Sequence, residues 1–327
     1  MLDPGRGDVA EVDRVLHLRL ICPPERTVQV NGILDRSVGV AHVAVFRGVA
    51  VRPAGDVVEA DLARECVDDL LAELTALGLD HDGAITLENL DTVLSDAADA
   101  AEEAAPGEGV DAVVWDELIA RTGEDSRLSV SFQVFLTIAC LLAAIGAITD
   151  SPVTVVGAMV LGPEFGPLAA VAVGLVLRRH DLVRRGGLAL AAGFPLAMAV
   201  TAGAALVFDA TGLLTTVTLD RLDQVDFIYD VGPFSLIVAM LAGVAGMLAL
   251  TSAKSASLVG VFISVTTVPA AGFASVALVE GRLDEALSSA VQLLVNLIGI
   301  VIAAALGLLV ALRSRRRRGE NRRLSKG

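Results

Sequence analysis

The chain has 327 residues, 54% of them hydrophobic, and a mean hydropathy of +0.68, which excludes an ordinary soluble globule. Charge is spread unevenly: residues 1–129 carry 27 acidic and 10 basic side chains, residues 130–327 carry 12 and 15. An acidic soluble part followed by a membrane part is expected.

The first residues, MLDPGRGDVAEVD, lack the basic and apolar regions of a secretory signal, so the first span near residue 130 is expected to do the targeting. RVLHLRLIC (14–22) alternates as a strand does, and PPERTVQVNGILDRS (23–37) reads as a helix with Pro near its start. Residues 41–51 and 55–63 read as a hairpin around Pro53, Ala54 and Gly55. In 63–79 the residues Val67, Leu70, Leu71, Leu74 and Leu77 share one helical face, and Gly78 marks the end. A last strand follows in 83–94. The order β-α-β-β-α-β suggests an α+β, ferredoxin-like domain over 14–94, a fold whose members bind small ligands or self-associate. No Ser-His-Asp order and no phosphate loop stand out, so no catalytic residue is expected.

Residues 95–129 read as an acidic, Ala-rich linker broken at Pro106-Gly107, then an amphipathic helix holding the single Trp, Trp115, at a membrane interface. The three cysteines and four histidines are scattered. Neither a disulfide framework nor a metal site is expected, and no cofactor.

Six segments are long and apolar enough to cross a bilayer, roughly 130–149, 152–177, 186–208, 232–250, 257–279 and 289–312. They make 130–312 an all-α transmembrane domain, with the lipid bilayer as its partner. Basic residues gather in RRHDLVRR (178–185), at Lys254 and in the tail 313–327, whereas the alternate loops are acidic. The positive-inside rule then puts both termini and the soluble domain in the cytoplasm, with the chain in the cytoplasmic (inner) membrane. The tail is read as a topology anchor and not as a nucleic-acid contact.

Spans two and five carry unusual residues. TVVGAMVLGPEFGPLAAVAVGL (154–175) and SLVGVFISVTTVPAAGFASVAL (257–278) match at Thr154/Ser257, Val156/Val259 and Gly157/Gly260. With a one-residue gap they match again at Pro167/Pro269, Ala169/Ala271 and Ala172/Ala274. Each is the middle span of a group of three, which suggests a three-plus-three inverted repeat. Pro and Gly interrupt the helix, and the freed backbone groups must face protein, water or a bound ion. A path for an unknown small ion or solute is therefore expected between the breaks. It would be lined by Gly157, Gly162, Pro163, Glu164, Gly166 and Pro167 from span two, and by Gly260, Ser264, Thr266, Thr267 and Pro269 from span five. Gln292 and Asn296 add polar groups from span six. Two roles stay open for Glu164: a proton carrier or cation ligand, or a structural acceptor in a wet cleft. Gly162 and Gly166 also form a GxxxG pair, which allows close helix packing and a homo-oligomer. Ser151 before Pro152 is read as a helix cap. A membrane-anchored sensor or scaffold is the competing reading of the whole chain, and an enzyme is not expected.

Residues 126–168 and 257–272 resemble a prokaryotic integral-membrane family catalogued as domain of unknown function 389. Its pattern falls on Gly157, Ala158, Met159, Gly162, Pro163, Gly166 and Pro167. The resemblance implies a small N-terminal α/β domain and a multi-span domain, and supplies no activity. Glu164 stands where the family commonly has Leu, and Val268-Pro269 where it often has two prolines.

Overall fold

The computed structural model describes residues 15–90, 93–105, 115–213, 233–251 and 267–325. They fall into two compact units, one holding residues up to Leu118 and the other nearly all that follow.

The first unit is built on a four-stranded antiparallel sheet of β1 (Val15–Cys22), β2 (Val40–Val51), β3 (Ala54–Ala63) and β4 (Ala84–Asn89), in the order β2-β3-β1-β4. Helix α1 (Thr27–Arg36) joins β1 to β2, and α2 (Val67–Ala76) with the single turn α3 (Leu79–Asp82) joins β3 to β4. Each excursion skips one strand. Strand alternation sends Leu16, Leu18, Leu20 and Cys22 to one face, where they pack with Val58, Ala60 and Leu62 of β3. The apolar faces of α1 (Val30, Ile33, Leu34) and α2 (Val67, Leu70, Leu71, Leu74) close this core. Gly78, at φ +73, takes the left-handed conformation that ends α2, as its position predicts. Arg26 fixes the same corner, donating to the Leu77 carbonyl and to Asp82 at 2.8 Å.

The stretch read as linker begins with a helix, α4 (Asp96–Ala104). Ser95 Oγ accepts the amides of Ala97 and Ala98, so a good N-cap and an Ala-rich run are enough to form it. The Pro106-Gly107 breaker lies outside the described residues. The next helix, α5 (Trp115–Asp125), starts with the Trp115 amide donating to Asp68.

Among the described residues of the second unit, four helices are long and apolar enough to cross a membrane: α6 (Val130–Ile148), α9 (His180–Ala210), α10 (Pro233–Thr251) and, over Leu283–Arg313, the long helix α12 (Leu283–Ser325). A fifth crossing is available from α7 (Pro152–Leu161) and α8 (Phe165–Val176) taken together, bent by 52° at their junction. Helix α11 (Val268–Val279) is apolar and has 12 residues. The first half of predicted span five lies outside the described residues. About four to five apolar helices among the described residues support multi-pass crossing.

Many small side chains fill the interior of this unit, around a few large ones such as Leu136, Phe194 and Phe273. Ala139, Ala143 and Ala144 of α6 pack near Ala270, Ala271 and Ala277 of α11. A Cβ on Gly272 would lie 2.7 Å from Ala143 Cβ and 2.9 Å from the Cys140 carbonyl. Many other large apolar side chains point outward. On α12, Leu287, Val291, Leu294, Ile298, Ile302 and Leu306 form an exposed stripe opposite buried Leu293, Ile300 and Ala304. That is the inverse of a soluble protein and suits lipid.

Candidate functional site

The break in span two follows from two adjacent residues. Gly162 is extended (φ −64, ψ 120), and Pro163 after it disfavours helical geometry at Gly162 and brings no N–H. Helix restarts at Phe165, where Pro167 sits in the first turn and its missing donor costs nothing. In the turn before α7, Ser151 Oγ accepts the Thr154 amide and Pro152 opens the helix, as read from the sequence.

Glu164 occupies the N-cap position of α8, and Thr267 the N-cap position of α11. Both side chains are 0% exposed, and neither caps its own helix. They meet each other: Thr267 Oγ1 donates to Glu164 Oε1 at 2.5 Å, across 103 residues of sequence. Helices α8 and α11 have 12 residues each, carry Pro in the first turn, and start from this contact. The Cys140 thiol of α6 is within electrostatic reach of the same carboxylate.

A cleft of about 390 Å³ opens beside the break. Gly162, Pro163, Phe165 and Gly166 form one wall, and Glu124, Asp125, Arg127 and Ser129 of the α5–α6 corner form its polar side. Gly166 is held against that corner, since a Cβ there would lie 2.6 Å from Asp125 Cβ and 2.7 Å from the Asp125 carbonyl. Its glycine therefore serves the contact with α5.

Of the predicted residues, Glu164 and Thr267 are thus bonded, and Gly162, Pro163 and Gly166 line the cleft. Pro167 and Pro269 are buried in the first turns of α8 and α11. Gly157 lies on the exposed face of α7, with no atom within 4 Å of where its Cβ would be, and takes no part in the buried pair. Gly260, Ser264 and Thr266 lie outside the described residues. A further polar group joins α10 to α12. Gln292 Nε2 donates to Ser235 Oγ at 3.1 Å, and Asn296 Nδ2 lies 3.2 Å from the same oxygen. Gln292 and Asn296 were legible as polar residues in a span, but Ser235, near the start of α10, gave no signal.

The sheet unit holds a second constellation that sequence order does not reveal. Asp61 sits between two histidines, with Oδ1 2.8 Å from His17 Nδ1 and Oδ2 2.6 Å from His42 Nδ1. His42 Nε2 lies 2.7 Å from Ser95 Oγ. His42 reaches there because the β2–β3 register shifts between Ala41 and Ala44, with His42 itself at φ +51. Although Ser, His and Asp stand in series, the serine oxygen already accepts two amides as the α4 cap, so it tethers α4 to the sheet. Elsewhere in this unit, Asp56 accepts from Thr27 Oγ1 at 2.6 Å and from the Gly48 amide at 2.8 Å, which holds its carboxyl below the usual range. Burial, then the Glu65 charge, pushes the Cys66 thiol up to about 11, and burial raises Cys22 as well. Both thiols are therefore poor nucleophiles at neutral pH. Among the described residues no group of three or more His, Cys, Asp or Glu side chains is placed to hold a metal ion.

The chain is similar to an uncharacterised protein of the archaeon Methanocaldococcus jannaschii, 24% identical over 207 residues, which is 62% of this chain. The match spans 61% of that relative, about three fifths of its length. No solved structure matches. The model of the family described as domain of unknown function (DUF389) matches residues 159–302, a stretch that starts just before the break and includes Glu164, Thr267 and the α10–α12 polar group. Over those residues the chain is similar to the DUF389 family, the one its glycine and proline motif resembles.

Proposed function

We propose that this chain is a multi-pass protein of the cytoplasmic membrane that transports, or forms a channel for, a small ion or solute. The observation that carries the reading is the fully buried Glu164–Thr267 bond, at which two interrupted helices meet. Lipid cannot satisfy a carboxylate and two helix starts, so such an arrangement is retained where something other than lipid passes or binds. The cleft beside Gly162 and Gly166 gives the break an approach from the α5–α6 corner. In this reading α8 and α11 are equivalent half-helices of an inverted repeat, running in opposite directions from the shared contact, and six spans place both termini in the cytoplasm. The strand order β2-β3-β1-β4 with two strand-skipping connections supports a ferredoxin-like soluble domain that gates or assembles the membrane part. Enzymatic activity, a cofactor and nucleic acid have no place in the proposal.

The test is flux. The purified chain is reconstituted in liposomes holding pH- and cation-sensitive dyes, beside Glu164→Gln. Wild-type flux that the variant loses supports both the transport and the acid's place on the path. No flux for a broad panel of ions and solutes, with folded protein in the bilayer, refutes transport.

One observation favours the sensor-scaffold reading. Edge strand β2 has 12 residues and leaves Val43, Phe46, Val49 and Val51 exposed, an apolar edge suited to pairing with another copy. Assembly through β2 without any flux would select that reading.

A further inference from the structure

The cleft beside the break is polar on one side and apolar on the other. Glu124, Asp125, Arg127 and Ser129 line the first, and the rings of Phe132, Phe135 and Phe165 line the second. Glu124 and Arg127 are exposed, and among the described residues neither has an ion pair with another side chain. Ser129 Oγ accepts the Phe132 amide, which leaves its O–H to donate to a further group.

Helix α6 sets the depth of this cleft. Its 19 residues run about 28 Å, close to the roughly 30 Å of a bilayer's hydrocarbon core. Its first turn therefore lies at one boundary, with residues 124–129 in the headgroup layer and Phe132 and Phe135 just inside the hydrocarbon. From Phe135 an apolar stripe continues through exposed Ile138 and Ile145, with half-buried Leu142 between them. Steps of three, four and three residues keep these side chains on one helix face. A cleft that is charged at the headgroup layer and runs out into a lipid-facing stripe fits a phospholipid better than a solute arriving from water.

Charge chooses the headgroup. Two carboxylates against one guanidinium leave the polar side net negative, so a purely anionic headgroup meets repulsion there. Arg127 and the Ser129 O–H suit a phosphate, and Glu124 suits an ammonium. Asp125, packed against Gly166, adds a second negative charge. A primary ammonium donates N–H bonds to a carboxylate. A quaternary ammonium has none to donate, and the rings that would hold it by cation–π contact stand on the apolar side.

We propose that this cleft seats a phospholipid with a primary-amine headgroup, such as phosphatidylethanolamine. Arg127 and Ser129 bind its phosphate, Glu124 binds its ammonium, and one acyl chain lies along Phe135, Ile138 and Ile145. Gly162, Pro163 and Gly166 line the same cleft, so the bound headgroup also packs against the break in span two. The inference goes beyond the transport reading and does not rest on it.

The test is lipid binding by the full chain in mild detergent, read as thermal unfolding. Phosphatidylethanolamine, phosphatidylcholine and phosphatidylglycerol of one acyl composition are titrated separately, beside free phosphoethanolamine. A saturable rise in Tm is expected, reached at a lower mole fraction of phosphatidylethanolamine than of the other two. Arg127→Gln weakens apparent affinity for phosphatidylethanolamine and phosphatidylcholine alike by about tenfold, the loss of one charge-assisted bond. Glu124→Gln weakens phosphatidylethanolamine about tenfold and leaves phosphatidylcholine unchanged, so the preference disappears. Arg184→Gln, at an exposed arginine outside the cleft, leaves all three curves unchanged. Gel filtration establishes that each variant is folded. Equal curves for the three lipids overturn the proposal, as does a response strongest with phosphatidylglycerol or the same rise with free phosphoethanolamine. A preference that survives both cleft variants, or falls equally in Arg184→Gln, overturns it too. The two readings fail separately: lipid preference without flux leaves the seat and removes transport, and flux without lipid preference leaves transport and removes the seat.

Discussion

Replacing Thr267 by Val tests the central contact with little collateral change. Val keeps the β-branched shape, and because Thr267 makes no side-chain cap to α11, no cap is lost with the hydroxyl. What disappears is the donor to Glu164 Oε1. A hydrogen bond to an ionised group contributes about 1.5–3 kcal/mol and one between neutral groups about 0.5–1.5. In Glu164→Gln the side-chain oxygen still accepts the Thr267 hydroxyl but carries no charge. If the carboxylate is ionised, Thr267→Val costs about 1 kcal/mol more in the wild type than in the Glu164→Gln background. The assay is a double-mutant cycle on unfolding free energies in a bicelle or mild detergent. Costs equal in the two backgrounds to within about 0.3–0.5 kcal/mol would refute the ionised, directly bonded pair.

Three further outcomes follow from the geometry. Gly166→Ala places a methyl group against the Asp125 backbone and should cost about 1–3 kcal/mol through overpacking, read as a lowered Tm, whereas Gly157→Ala should be close to neutral because nothing lies near its Cβ. Ser95→Ala removes the α4 cap and its His42 partner, and should cost about 0.5–2 kcal/mol, with faster hydrogen exchange confined to α4. Asp56 is held below the usual carboxylate range first by Thr27, so its stabilisation is complete above the unfolded pKa and fades as pH falls through the folded value. Thr27→Val should therefore flatten the acid side of the stability profile of the sheet unit, and an unchanged profile would count against the assignment.

Periodicity carried most of the fold. The strands and helices of the first unit sit within a few residues of where alternation and 3.6-residue spacing put them, because one face of each is buried in a common core. Helix α4 was masked by its acidity, since charge repulsion suggested a linker where Ser95 and an alanine run outweighed it. The break was legible because Gly162-Pro163 acts locally, through the backbone. The partner of Glu164 was legible only as a match between two spans; that Thr267 is the residue that reaches it depends on how α8 and α11 cross. The Asp61–His42–Ser95 series was invisible, because a bulge, a hairpin and a helix cap each place one member.

The alanine lining between α6, α9 and α11 gives the two units opposite sensitivities to change. In the sheet unit the core is leucine, so truncation leaves holes and enlargement is the lesser threat. In the helical unit most buried positions have almost nothing to truncate, and each added methylene pushes helices apart. Random substitution would therefore leave two different scars on one polypeptide. The first unit would be purged of losses in volume and the second of gains, and the lipid-facing stripe of α12 would be free to drift among large apolar residues.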